Sequence, residues 1–244
     1  MTLSPEERAA NRAAFRAMSV PQKAEYIFAY YKLPLVLTLI VLVAVGTVVQ
    51  RMITHKDAEL YVAFVNVVPD EDADEALTKG FIEQQGQNPR KNEVVCYREL
   101  YLSSNASQQD HQYSYASRLK VLAAIDAEQL DVVLMNQEAY DLLSASGYLL
   151  DLQETCVGSL ALSSEAKQRL KTNTVVLSDN RVEVELGEAS EYEADTVESV
   201  NALSLDGLSL LANLPESESF YLGIVANTPR LETSVAYLSY VLSK

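Results

Sequence analysis

Residues Leu33 to Gln50 (LPLVLTLIVLVAVGTVVQ) run without one charged side chain. A helix of about 20 mostly apolar residues crosses the hydrocarbon core of a bilayer, and a run of 18 or more marks a spanning candidate. Beyond Arg51, Met52 and Ile53 extend the run, so we expect a transmembrane helix over 33–53. A secretory signal is the competing assignment. Its apolar stretch is shorter, about 7–15 residues, and ends at a small-residue cleavage site. Here some thirty residues precede the run, and Val48-Val49-Gln50-Arg51 is a poor site of that kind. A buried core helix would have to be apolar all round over this length, which is unusual in a soluble protein.

The run divides a short basic head from a large acidic body. The formal charge of the chain is −15; residues 1–57 hold seven Lys/Arg and four Asp/Glu, which leaves −18 for the rest. Arg8, Arg12, Arg16, Lys23 and Lys32 precede the run, against Arg51 and Lys56 just after it. The positive-inside bias therefore predicts a cytoplasmic head, residues 1–32, and an extracytoplasmic C-terminal body on a single-pass anchor in the cell membrane. Tyr26, Tyr30 and Tyr31 stand where interfacial aromatics belong. Ser4-Pro5-Glu6-Glu7 has the form of a capping box with Pro at the first helical position. Ser19-Val20-Pro21-Gln22 is a second, weaker helix start. We expect helices over 4–18 and 20–52, with Pro34 a place for a kink.

An acidic body of this size buries a core and repels polyanions, so we expect no nucleic-acid partner. Cys96 and Cys156 permit one disulfide in an oxidising compartment. A mid-strand Cys96 rarely lies within the reach of about 7 Å that a bridge to a distant loop requires, so we expect free thiols. His55 and His111 form no pair with zinc-like spacing, and we expect no metal and no cofactor. No nucleophile elbow, phosphate loop or H-E-x-x-H motif occurs. Asp131 and Asp141 look like ordinary helix-flanking acids. The acidic clusters at 70–74 and 188–193 lack the ligand spacing of a calcium loop. We expect no catalytic residues and no enzyme.

From residue 58 strands and helices alternate. Apolar runs predict strands at 60–67, 93–102, 131–135 and 220–226. Helical periodicity falls at 70–87, 113–126, 138–145, 163–170 and 230–242, with Gly147 closing the third of these helices. Residues 174–177 and 181–186 read as a hairpin, the second strand alternating strictly, and 188–198 as an acidic loop or frayed helix. Such alternation predicts an α/β domain with a mostly parallel sheet. In a sheet of that kind ligands bind beyond the carboxyl ends of the strands. Asn66 ends the first strand, Ser103, Ser104 and Asn105 follow the second, Asn136, Gln137 and Glu138 the third, and Asn227 and Thr228 the last. Asn66, Ser103, Ser104, Asn105, Asn136 and Asn227 are thus the candidate ligand-binding residues. Each has a structural alternative, because Asn, Ser and Thr also cap helices and make turns.

The stretch from Leu130 to Leu152 (LDVVLMNQEAYDLLSASGYLLDL) resembles extracytoplasmic solute-binding proteins of ABC importers, which carry a DVV strand, a helix and a G-x-L-x-x-L turn. Phe220 to Val241 (FYLGIVANTPRLETSVAYLSYV) is similar to their closing strand and helix. The head, with Phe15, Met18-Ser19, Lys23, Tyr26-Ile27 and Tyr30 to Lys32, resembles the anchors of membrane proteins from Gram-positive bacteria. The resemblance implies a periplasmic-binding-protein-like fold with a first lobe at 58–152 and a smaller second lobe at 153–244. It implies capture of a small polar ligand by a membrane-anchored, non-catalytic protein working with a membrane transporter. Only some ninety residues remain for the second lobe and Trp is absent. Both departures favour the alternative, a sensor or accessory interaction subunit of a membrane complex that uses the same fold without transport.

Overall fold

The computed structural model describes residues 4–104, 110–215 and 217–244, and forms two compact units, 1–55 and 56–244. The expected candidate Asn105 and the side chains of Tyr26, Tyr30 and Tyr31 lie outside the described set.

The first unit is two helices, α1 (Pro5–Ala17) and α2 (Val20–Thr54). Both fall within two residues of the positions expected. The second helix start is a real cap: the Ser19 N–H and hydroxyl both donate to Gln22 Oε1 at 3.0 Å, satisfying a donor that the first turn leaves without a partner. Lys23 Nζ reaches the Arg16 carbonyl and lies 5.9 Å from the Phe15 ring centroid, which fastens the corner. Pro34 sits inside α2. It lacks an N–H, and the Thr38 hydroxyl donates to its carbonyl at 2.8 Å. Within α2, Lys32–Gln50 spans 19 residues at mean hydropathy 2.4 with none of that window buried. It is long and apolar enough to cross a membrane.

The second unit opens on β1 (Asp57–Val65), then α3 (Glu71–Glu75), a π-helical turn (Ala76–Gly80) and α4 (Phe81–Gln84). Next come β2 (Asn92–Leu100), α5 (His111–Asp126), β3 (Val132–Asn136) and α6 (Gln137–Ala145). Short helices α7 (Leu152–Thr155) and α8 (Ser164–Gln168) lead to β4 (Leu170–Asp179) and α9 (Arg181–Glu185). The chain closes through β5 (Ala194–Ser204), β6 (Phe220–Ile224) and α10 (Leu231–Leu242).

The six strands form one sheet in the order β2-β1-β3-β6-β5-β4. Pairs β1–β2 and β1–β3 are parallel; β3–β6, β6–β5 and β5–β4 are antiparallel. The α/β class is as expected, but the sheet is mixed rather than mostly parallel. The reason lies in the connections. Parallel neighbours need a crossover of a dozen or more residues, usually with a helix; β1–β2 and β2–β3 have one, whereas the helical β3–β4 connection carries the chain to the far edge of the sheet, away from β3. After β4 the chain turns back through a single five-residue helix into β5, and it returns to β6 without an α-helix. Residues 153–244 supply three strands of this one sheet, so the boundary expected at 152/153 falls inside a compact unit.

Two apolar layers cover the sheet. Leu60, Val62, Phe64, Leu134, Leu222 and Ile224 face Leu77, Phe81 and Ile82 below β1 and the inner side of α10. Phe81 meets Tyr237 edge to face at 5.0 Å, and the Tyr237 hydroxyl donates to the Leu77 carbonyl. On the other side Ala63, Val65, Val133 and Met135 face Val121 and Ile125 of α5 and Tyr140 and Leu143 of α6. Central strands buried on both faces read as continuous apolar runs, which is why β1 and β3 are legible in the sequence. Both cysteines are free, and both pack in or against the first layer. Burial pushes the Cys96 thiol up to about 12.

The expected hairpin of 174–177 with 181–186 is replaced. Residues 181–185 are helical with none buried, and β4 pairs instead with β5, from Leu170 opposite Leu203 to Asp179 opposite Ala194. Alternating Val and Glu fit a strand only where one face has a core to meet, and here neither does. β5 joins β6 only at Leu203 and Ser204. The inner part of the β4–β5 ribbon packs on α6 and Asp151, and its exposed outer part, 177–198, forms an arm with α9 at its tip.

Candidate functional site

Strands β2, β1 and β3 lie in the order 2-1-3, and the helices that follow β1 and β2 pack on opposite faces. The crevice of such a sheet opens at the carboxyl ends of β1 and β3, and four of the six candidate residues meet there. Asn66 turns the chain out of β1 at φ 58°, a left-handed conformation that Asn tolerates better than most residues. Its amide nitrogen donates to the Leu102 carbonyl at 2.7 Å and to Asn136 Oδ1 at 3.1 Å. Its Oδ1 accepts from the Leu102 N–H at 2.8 Å. Asn136 caps α6, and the same Oδ1 accepts from the Ala139 N–H at 3.1 Å.

Beside this pair, Glu138 Oε1 accepts from the Ser103 hydroxyl at 2.7 Å, the Ser104 N–H at 2.9 Å and the Ser104 hydroxyl at 3.2 Å. Burial works against the charged carboxylate, but the serine donors outweigh it and hold the Glu138 pKa below the ordinary value. The Ser103 N–H donates in turn to Ser114 Oγ of α5. Polar side chains from β1, β3, α5, α6 and the loop after β2 thus close on one another. They clamp the two crossovers to the strand ends.

Asn227 does not belong to this group. Because β6 runs antiparallel to β3, its carboxyl end lies at the opposite edge of the sheet, beside the start of β3. There the Asn227 amide donates to the Ile125 carbonyl at 2.8 Å. The rule that collects strand ends into one crevice holds only for parallel strands, so the candidate from the fourth strand end is lost with the expected parallel sheet.

The same opposite edge holds a cluster that sequence reasoning passed over. Asp131 is fully buried. It accepts from the Tyr61 N–H at 2.8 Å, the Thr228 hydroxyl at 2.6 Å and Arg230 at 3.0 and 3.2 Å. The Arg230 guanidinium also lies 4.6 Å from the Tyr61 ring centroid. A second buried network joins α6 to the sheet: the Tyr140 hydroxyl donates to Asn201 Oδ1, the Asn201 amide to Ser144 Oγ, and the Ser144 hydroxyl to the Thr174 carbonyl. Each of these groups ties together elements remote in sequence. No local motif marks them.

Three cavities among the described residues lie away from the crevice: about 380 Å³ along the β2 edge, about 140 Å³ between α5 and α6, and about 570 Å³ under residues 205–220. Cys96 borders the first, but its raised pKa keeps it a protonated, unreactive thiol at neutral pH. Among the described residues no three His, Cys, Asp or Glu side chains are grouped to hold a metal ion. No family model, curated protein or solved structure matches this chain.

Proposed function

We propose that this chain is a single-pass membrane protein whose acidic α/β domain acts by interaction rather than catalysis, as a sensor or accessory subunit of a membrane complex. The observation that supports it best is the closure of the crevice. Asn66 through both amide atoms, Asn136 through Oδ1, and Ser103 and Ser104 through Glu138 Oε1 bond to one another and to backbone, as structural caps do. The basic head faces the cytoplasm and the domain stands outside, an orientation supported by the charge bias around the apolar helix. A second reading, capture of a small polar solute, is favoured by the convergence of four polar candidates at one topological switch point.

One variant separates the two. With Asn136→Ala in the full chain, the accessory role predicts a stability loss of about 0.5–2 kcal/mol. It also predicts no rise in melting point of the parent with sugars, amino acids or short peptides. A solute that raises the parent melting point by mass action, with the rise abolished by Asn136→Ala, would establish capture instead.

A further inference from the structure

Ten large apolar side chains are exposed among the described residues of 56–244, and eight of them fall in two groups. Five belong to the β4–β5 arm: Leu177, Val182, Leu186, Tyr192 and Val197. Three belong to α5: Tyr113, Tyr115 and Leu119. Exposed apolar groups gathered in patches mark interaction surfaces, whereas scattered ones do not.

The groups are complementary in charge. Residues 177–198 of the arm hold eight Asp/Glu and a single Arg. On α5, Arg118 is exposed beside Tyr115 and Leu119, and Lys120 is exposed on the adjoining side with its Nζ 5.8 Å from the Tyr97 ring centroid, in a domain that is otherwise strongly acidic. Arg118 takes part in no ion pair among the described residues. It lines the cleft of about 140 Å³ between α5 and α6, together with Leu122, Leu142 and Tyr148. Tyr115, Leu119 and Leu122 follow at four and three residues, so they form one stripe leading to that cleft.

The position of the arm fits a reciprocal contact. Its base rests on α6, through Asn173 donating to Asp141 and Ser144 to the Thr174 carbonyl. Asp141 and Ser144 lie on the side of α6 away from Leu142 and Ser146, which line the cleft, so the arm leaves the body across α6 from the cleft and does not cover it within its own copy. The ribbon from 174 to 179 alone extends about 20 Å at ~3.3 Å per residue. Acid-rich arms repel one another, which disfavours arm-to-arm pairing. We propose that the occupant of the α5–α6 face is the arm of a second copy of this chain. In a two-fold pair each copy lays Val182 and Leu186 beside the other's Tyr115 and Leu119, with the arm's carboxylates against Arg118 and Lys120. The proposal rests on the fold and its surface, not on the accessory role, and either can fail without the other.

The test uses full chains in detergent or nanodiscs. Two differently tagged chains, one carrying Leu119→Cys and the other Leu186→Cys, are mixed and oxidised; native Cys96 and Cys156 are retained and controlled for with each single variant alone. A mixed-tag disulfide dimer is expected only from the mixture. The Arg118→Glu/Lys120→Glu pair should weaken dimerisation at least about tenfold, and Glu183→Lys/Glu185→Lys on the arm should restore it. A mixed pair that does not cross-link, with a protein mass of one 27.0 kDa copy at high concentration, overturns the proposal. A dimer that persists unchanged after charge reversal overturns it too, because the contact then lies elsewhere. Should the reversed chain fail to fold, the mixed cross-link in the parent background decides alone.

Discussion

Asp131 shows at the residue scale what a sequence hides. It reads as an unremarkable acid at a strand start, yet it is fully buried and holds Arg230 from 99 residues away. That pairing exists because β6 returns antiparallel beside β3 and delivers the following turn to the Asp131 edge. A buried carboxylate that loses its partner is left as an uncompensated charge. Arg230→Ala should therefore cost about 3–5 kcal/mol in denaturant unfolding, far more than an exposed pair such as Lys79 with Glu75. Replacing Asp131 as well should recover only part of the loss, because the Tyr61 N–H and the Thr228 hydroxyl then lose their acceptor. Glu138 and Asp151 give a second prediction. Burial opposes ionisation at both, but hydrogen-bond donors prevail and both pKa values are lowered in the folded state. Their stabilisation is fully present above the ordinary carboxylate pKa and is lost as pH falls through the folded value. The urea midpoint should fall as pH drops below the ordinary carboxylate range, and Glu138→Gln/Asp151→Asn should flatten that limb.

At the scale of elements, legibility follows burial. β1, β3 and β6 are doubly buried apolar runs, and α2 is an apolar helix with a capped start; all four stand where the sequence puts them. The Asn136 cap and the Gly147 close of α6, at φ 70°, are also legible, because their chemistry is local. β5 and α9 are not. The first half of β5 is exposed and polar, and it is a strand only because β4 offers it a ladder. α9 buries nothing, so its Val–Glu alternation carries no information about a face. Gly223, in the middle of β6, is the tightest point of the mixed half. A Cβ there would lie 3.1 Å from Leu149 Cδ2 and Met135 Cε and 3.2 Å from the Asn201 carbonyl oxygen. The side chains can shift but the backbone oxygen is fixed by the sheet. Gly223→Ala should cost about 1–3 kcal/mol as overpacking by thermal or urea unfolding, whereas an alanine at an exposed position of β4 such as Lys171 should cost little.

The whole molecule divides at His55/Lys56, and one sheet takes strands from both sides of 152/153. Two lobes would each own a core and unfold on their own account. Here β3 is hydrogen-bonded on one side to β1 and on the other to β6, whose residues lie some ninety positions further on. The layer over β1 is completed by Leu222, Ile224 and the inner face of α10. A fragment ending at residue 152 would expose an unpaired edge along β3 and strip that layer of its C-terminal half. Edge and face together are what a sheet must cover to be stable alone. Residues 58–152 expressed by themselves should therefore lack cooperative thermal unfolding and dispersed amide signals. Residues 56–244 should unfold in a single transition with coincident far- and near-ultraviolet circular dichroism, the mark of one cooperative unit. Cooperative unfolding of 58–152 would restore the two-lobed division that the resemblance to solute-binding proteins implies. It would also return weight to solute capture, because a cleft between lobes needs two bodies that can move apart, and a single continuous sheet gives it only one.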